Sequence, residues 1–241
     1  MFAFGKSDVG LKRKNNEDSF FISENSIGPL KNLFIVADGL GGHQAGEVAS
    51  AMSIEFFCEF VKENTLIYTQ DFLGAALRHS NTSVYLKSLE IEEYAGMGTT
   101  LTCVSIDENH IYFAHAGDSR LYIVKDGNLV QKSEDHSFYN ELLEQGWAKR
   151  DIEARADKYR LTRAVGTDRE IKVDIGFFAK EGISHILLCT DGLTDMLKDN
   201  EILEIINSNS TEIAAHKLVE KANELGGYDN ISLVLIQNEV N

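Results

Sequence analysis

From Leu33 to Ala37 the chain is apolar without interruption, and the next residues are Asp38 and Gly39. A short unbroken apolar run is the pattern of a strand buried on both faces. The same design recurs at His185-Ile186-Leu187-Leu188-Cys189, which leads into Thr190-Asp191-Gly192. Between these, Val48, Met52, Phe56, Phe57 and Phe60, then Phe72, Ala76, Leu77, Val84 and Leu89, recur at helical spacing and predict helices over 45–63 and 71–90. Their apolar stripes are core packing. Strands are expected over 2–7, 19–23, 33–37, 99–106, 111–115, 121–125, 129–131, 171–178, 185–189 and 231–237, and further helices over 200–207 and 211–225. Asp107-Glu108-Asn109 and Lys125-Asp126-Gly127-Asn128 are the turn signals of the central strand block, and Asp126-Gly127 is read as a hairpin turn and nothing more. Residues 135–163 are polar and helix-prone, with Ser137 placed as a cap. Strands in blocks with helices in pairs predict α+β layers, not a doubly wound sheet.

Length and composition narrow the class. The 241 residues fit one large domain, with no composition break and a single proline, and 43% hydrophobic content suffices for a sizeable core. The net charge of −15 argues against nucleic-acid or anionic-membrane partners, which need a basic face. Cys58, Cys103 and Cys189 are odd in number and scattered, so neither a disulfide framework nor a zinc site is implied and a reducing cytoplasm fits. No apolar leader pattern or run long enough to span a membrane is expected.

The candidate chemistry lies in the acids at strand ends. Asp38 and Asp191 follow buried runs, Asp118 stands in Ala116-Gly117-Asp118-Ser119-Arg120 at a reversal between two strands, Asp229 precedes the last strand beside Gly226 and Gly227, and Asp18 precedes the second. Each alone reads as a turn. Gathered at one edge they would repel, and burial would raise their pKa values until they bound protons or metal. An all-oxygen donor set selects hard divalent cations, Mg²⁺ or Mn²⁺. A dinucleotide loop is disfavoured because Gly39-x-Gly41 leads to Gln44, and a phosphate loop because Gly46 is followed by Glu47. Cysteine-dependent phosphatase chemistry is excluded, since the sixth residues after the three cysteines are Asn64, Asn109 and Asp195 rather than arginine. No Gly-x-Ser-x-Gly supports a serine hydrolase.

Eight motifs then fall in order: Arg13-x-x-Asn16-Glu17-Asp18, Asp38-Gly39-x-Gly41-Gly42-His43, Gly98-Thr99-Thr100, Ala116 to Arg120, Asp135-His136-Ser137, Leu161 to Gly166, Thr190-Asp191-Gly192 and Asp229-Asn230-Ile231-Ser232. In these the chain resembles the metal-dependent (type 2C) Ser/Thr protein phosphatases, in their compact bacterial branch. The resemblance implies a four-layer α-β-β-α sandwich of two antiparallel sheets flanked by helix pairs, as one catalytic domain over 1–241 with a flap at 137–163. It implies two Mn²⁺ or Mg²⁺ ions, with Asp38 bridging, the Gly39 carbonyl completing one shell, Asp191 and Asp229 on the other ion, and Glu17 and Asp18 acting through bound waters. Asp118 with Asp191 matches a third metal position, and Arg13 matches the arginine that grips the substrate phosphate. By the same resemblance a water shared between the cations attacks phosphorus in line, releasing phosphate from phosphoserine or phosphothreonine and opposing a Ser/Thr kinase. His43 is the candidate acid for the leaving oxygen, the other reading being that it supports the glycine loop. His115 reads as a strand side chain and His136 as a brace, and Arg120 and Arg163 as internal salt-bridge partners. The flap carries Lys149, Arg150, Arg155, Lys158 and Arg160, either a docking patch for phosphorylated proteins or a solvated surface. A cytoplasmic monomer is expected. A catalytically silent phosphoprotein-binding relative and a hydrolase of small phosphoesters are the rival readings.

Overall fold

The computed structural model describes residues 1–41, 45–64 and 71–238. One sheet has the order β1 (Phe2–Asp8), β11 (Ile231–Gln237), β10 (Ile183–Cys189), β7 (Arg120–Lys125), β8 (Asn128–Gln131). The other runs β2 (Asp18–Ser23), β3 (Leu33–Leu40), β5 (Leu101–Ile106), β6 (His110–Ala116), β9 (Asp174–Ala179), with the short β4 (Gly98–Thr99) paired to β3. Every pairing is antiparallel. Helices α1 (Ala45–Glu63) and α2 (Phe72–Glu90) cover the second sheet, the short α3 (Phe138–Glu144) and α4 (Lys149–Glu153) lie between β8 and β9 in the chain, and α6 (Asp199–Asn207) and α7 (Thr211–Glu224) cover the first sheet. This is the expected four-layer α-β-β-α sandwich. Among the described residues no helix is long and apolar enough to cross a membrane.

The unbroken apolar runs have a simple cause. Along β3, Leu33, Ile35 and Ala37 pack toward the helices, while Phe34 and Val36 pack into the layer between the sheets. Along β11, Leu233 and Leu235 face the helices, and Val234 and Ile236 face the other sheet. Both faces are buried, so the period-two alternation of a half-solvated strand is absent. That same alternation points residue 38 into the inter-sheet layer, at its end, where the apolar filling stops.

Several boundaries differ from the periodicity. β3 continues through Asp38 and Gly39 to Leu40, because Asp18 pairs with Asp38 on one side and Gly39 with Thr99 on the other. The 99–106 run is broken at Thr100 into β4 and β5. Strand β9 begins at Asp174, not at residue 171, since Ile171 and Val173 pack against the helix-side core outside the ladder. A one-turn helix, α5 (Asp191–Thr194), follows β10. Asp126 and Gly127 have φ of 51° and 74° and join Lys125 to Asn128, the two-residue hairpin expected there. The reversal at Asp118 is different: β6 belongs to one sheet and β7 to the other, so this turn carries the chain across the sandwich.

Candidate active site

The acids collect at one end of the gap between the sheets. A cleft of about 270 Å³ there is lined by Arg13, Glu17, Asp38, Gly39, Asp118, Asp191 and Asp229, together with Leu40, Gly41, Thr100, Tyr159 and Leu161. Seven residues singled out from the sequence thus meet although they span positions 13 to 229. Asp18 is buried beneath them, directly across the ladder from Asp38. His43 lies outside the described residues.

Backbone stitching holds the acids in place. Asp38 donates its N–H to Thr100 Oγ1 at 2.9 Å and accepts Thr99 Oγ1–H and Thr100 N–H at 2.8 Å on its carbonyl. Gly39 N–H donates to the Glu17 carbonyl at 3.1 Å. A Cβ on Gly39 would lie 2.1 Å from the Gly46 carbonyl oxygen, so only glycine lets β3 pass between α1 and the Glu17 segment. Thr190 Oγ1–H donates to Asp18 Oδ2 at 2.9 Å. Asn230, which the sequence placed in a motif but gave no role, clamps the first loop to the last strand. Its Oδ1 accepts Glu17 N–H at 2.8 Å, and its Nδ2 donates to the Val9 and Asn15 carbonyls, both at 2.9 Å. The first loop is thereby tied to the last strand.

The electrostatics are one-sided. Burial first, and the charges of Asp191 and Asp229 after it, push Asp18 up to about 7. Burial, then Asp191 and Asp135, push Asp118 up to about 8; burial, then Asp195 and Asp229, push Asp191 up to about 6. Asp38 is held well above the carboxylate range by burial, then by Asp18 and Asp191. Of three buried side-chain atoms without a hydrogen bond among the described residues, two are Asp18 Oδ1 and Asp191 Oδ1. Buried oxygens of this kind, converging and unneutralised, fit hard cations. No group of three His, Cys, Asp or Glu side chains among the described residues is placed to hold an ion unaided. An ion here would therefore complete its shell with backbone carbonyl and water, which suits Mg²⁺ or Mn²⁺.

The other predicted side chains behave as supports. Arg120 pairs with Asp135 at 2.6 Å and Arg163 with Asp174 at 2.7 Å, both internal salt bridges as expected. His115 is fully buried between Thr102 and the Glu134 carbonyl, with burial and neighbouring His136 holding it down to about 4. His136 Nδ1 accepts Gly117 N–H at 3.0 Å, and its carbonyl accepts Thr162 N–H at 2.9 Å, bracing the Asp118 turn against the root of residues 137–163. Within that segment Arg150 pairs with Asp151, Arg155 with Asp157 and Lys158 with Glu153. The basic patch is thus largely neutralised by its own acids. Tyr159 and Leu161 reach the cleft instead, a contribution no periodicity signalled.

The family profile described as Protein phosphatase 2C matches residues 11–222. A serine/threonine phosphatase stp of Listeria monocytogenes is 35% identical over 246 residues, covering 100% of this chain and 97% of that protein. The crystal structure of serine/threonine phosphatase Stp1 from Staphylococcus aureus superposes with a TM-score of 0.88 at 31% identity, over 98% of this chain and 94% of that one. The catalytic domain of serine threonine protein phosphatase PstP, solved in complex with 2 manganese ions, gives a TM-score of 0.83 at 32% identity, covering 97% of this chain and 96% of its own. The chain belongs to the protein phosphatase 2C family. It is a protein phosphatase, an enzyme that removes phosphoryl groups.

Proposed function

We propose that the chain hydrolyses phosphoserine and phosphothreonine in proteins with divalent cations held by its acidic cleft, reversing the action of a Ser/Thr kinase. The observation that carries this reading is the convergence of Asp38, Asp118, Asp191 and Asp229 with Arg13 on one cleft, backed by the unpartnered oxygens of Asp18 and Asp191. Asp38, the Gly39 carbonyl, Asp191 and Asp229 would hold two Mn²⁺ or Mg²⁺ ions. Asp118 with Asp191 would serve a third, and Glu17 and Asp18 would orient waters in the shells. Bound cations would make a water between them acidic enough to supply hydroxide near neutral pH and would neutralise charge on the phosphoryl oxygens.

Arg13 lines the cleft with its Nη2 bonded to Asp229 Oδ2 at 2.7 Å, and its half-exposed guanidinium would grip a phosphoryl group through two parallel N–H donors. Thr99, Thr100 and Asn230 fix the backbone from which the acids project, so little reorganisation is needed when charge develops. We assign His43 to protonation of the leaving oxygen, and residues 1–241 to one catalytic domain with 137–163 as its flap. The working unit is a monomer in the cytoplasm.

The deciding experiment is a Mn²⁺ and Mg²⁺ titration of phosphothreonine-peptide dephosphorylation by wild type and Asp38→Ala, with a free phosphorylated metabolite in parallel. Turnover without added cation, or full turnover by Asp38→Ala at saturating cation, would refute the assignment. Preference for the metabolite would move the substrate class to small phosphoesters.

A further inference from the structure

Among the cleft acids Asp229 differs from Asp18 and Asp191: both of its oxygens are occupied. Oδ1 accepts the N–H of Asn230 at 2.8 Å, and Oδ2 accepts Arg13 Nη2 at 2.7 Å. The chain's own guanidinium therefore stands where a cation ligated by Asp229 would draw on the same oxygen. The pair is built to be broken. Arg120 holds Asp135 through three contacts of 2.6 to 3.0 Å in a mostly buried setting. Arg13 makes a single contact, with side chains 48% and 34% exposed. A half-exposed single-contact pair contributes little and yields readily to a divalent ion.

We infer that Arg13 is an internal stand-in for the cation at Asp229, displaced when the ion binds and thereby released to meet the phosphoryl group. This rests on the cation-dependent reading above and adds a sequence of events to it. The cation enters first, and the phosphate clamp becomes available only afterwards. Removing Arg13 should then tighten cation binding, although the same change removes a substrate contact.

The test measures Mn²⁺ binding to the chelator-stripped full chain by isothermal titration, with free Mn²⁺ followed by electron paramagnetic resonance, and needs no turnover. Wild type is compared with Arg13→Ala and with Lys14→Ala, which deletes the same charge from the same exposed loop but has no bond to Asp229 to lose. Arg13→Ala should bind Mn²⁺ about two- to fivefold more tightly, the equivalent of one exposed ion pair. Lys14→Ala should match wild type. Unchanged or weaker binding by Arg13→Ala overturns the displacement while leaving the phosphatase reading standing. Equal tightening in both variants also overturns it, since that would be a general field effect. A wild type that binds no Mn²⁺ overturns both. Arg13 is exposed, so loss of the fold is not expected, and near-ultraviolet circular dichroism verifies this for each variant.

Discussion

Two groups of aspartates lie close together in this protein and are treated in opposite ways. Asp135 and Asp174 are each given an arginine by the chain, Arg120 and Arg163, at 2.6 and 2.7 Å. Asp18 receives the Thr190 hydroxyl, Asp18 Oδ1 and Asp191 Oδ1 receive nothing, and among the described residues none of Asp18, Asp38, Asp118 and Asp191 is given an arginine or lysine. The first group holds the crossover and the root of residues 137–163 together. The second stores unfavourable charge at the end of the inter-sheet layer, and only something brought from outside relieves it. A fold spends stability in this way where it needs a binding site.

The largest effect expected from breaking the contrast is on turnover. Asp38→Ala should lower kcat by about a thousandfold or more with phosphopeptide at saturating Mn²⁺, because the site loses its central carboxylate. In the absence of cation, Asp38→Asn should melt at a higher temperature than wild type at pH 8, since it removes a buried carboxyl whose ionised form is opposed by burial and by Asp18 and Asp191. A lower melting temperature would mean that the carboxylates are neutralised within the chain.

Stability against pH comes next. The folded cation-free chain keeps protons on Asp191, Asp18 and Asp118 up to about 6, 7 and 8, while the unfolded chain gives them up near an ordinary value of about 4. The folded state thus binds more protons throughout that window, so these groups make stability fall as pH rises from about 5 to about 8. Differential scanning calorimetry in chelator should show this decline, and Mn²⁺ at pH 8 should reverse it. A flat profile in chelator would break the comparison.

Asp135→Ala should act with the opposite sign. It strands Arg120 in a mostly buried position and should cost about 2 kcal/mol. For a chain of this size the melting temperature would drop by roughly 4–8 °C. The smallest effect sharpens the contrast from outside it. Asp126→Gly, at a hairpin whose φ already suits glycine, should shift stability by less than about 0.5 kcal/mol and leave phosphopeptide turnover unchanged.

How much of this was legible in the sequence follows from where the information resides. The strand-end acids could be read because an apolar run buried on both faces must stop somewhere, and Asp-Gly marks the stop. The helix from Ala45 to Glu63 and the last strand from Ile231 to Gln237 were readable in full for the same reason, an unbroken local pattern. Asn230 was not readable as a clamp, because its partners Val9, Asn15 and Glu17 lie over 200 positions away. The crossover at Asp118 looked like any tight turn, since spacing alone does not say which sheet the next strand joins. The neutralised patch at Arg150, Arg155 and Lys158 escaped notice because the basic residues stand out and their acidic neighbours were counted with the general surplus.

Arg13 and Asp229 come from opposite ends of the chain, Asp38 from a strand of one sheet and Asp191 from the short helix that follows a strand of the other. Neither half of the polypeptide carries more than part of the cleft's lining. If those residues do the work proposed for them, a partly opened molecule would be inert, and a nascent chain would acquire the power to erase a phosphorylation mark only once β11 has docked beside β1.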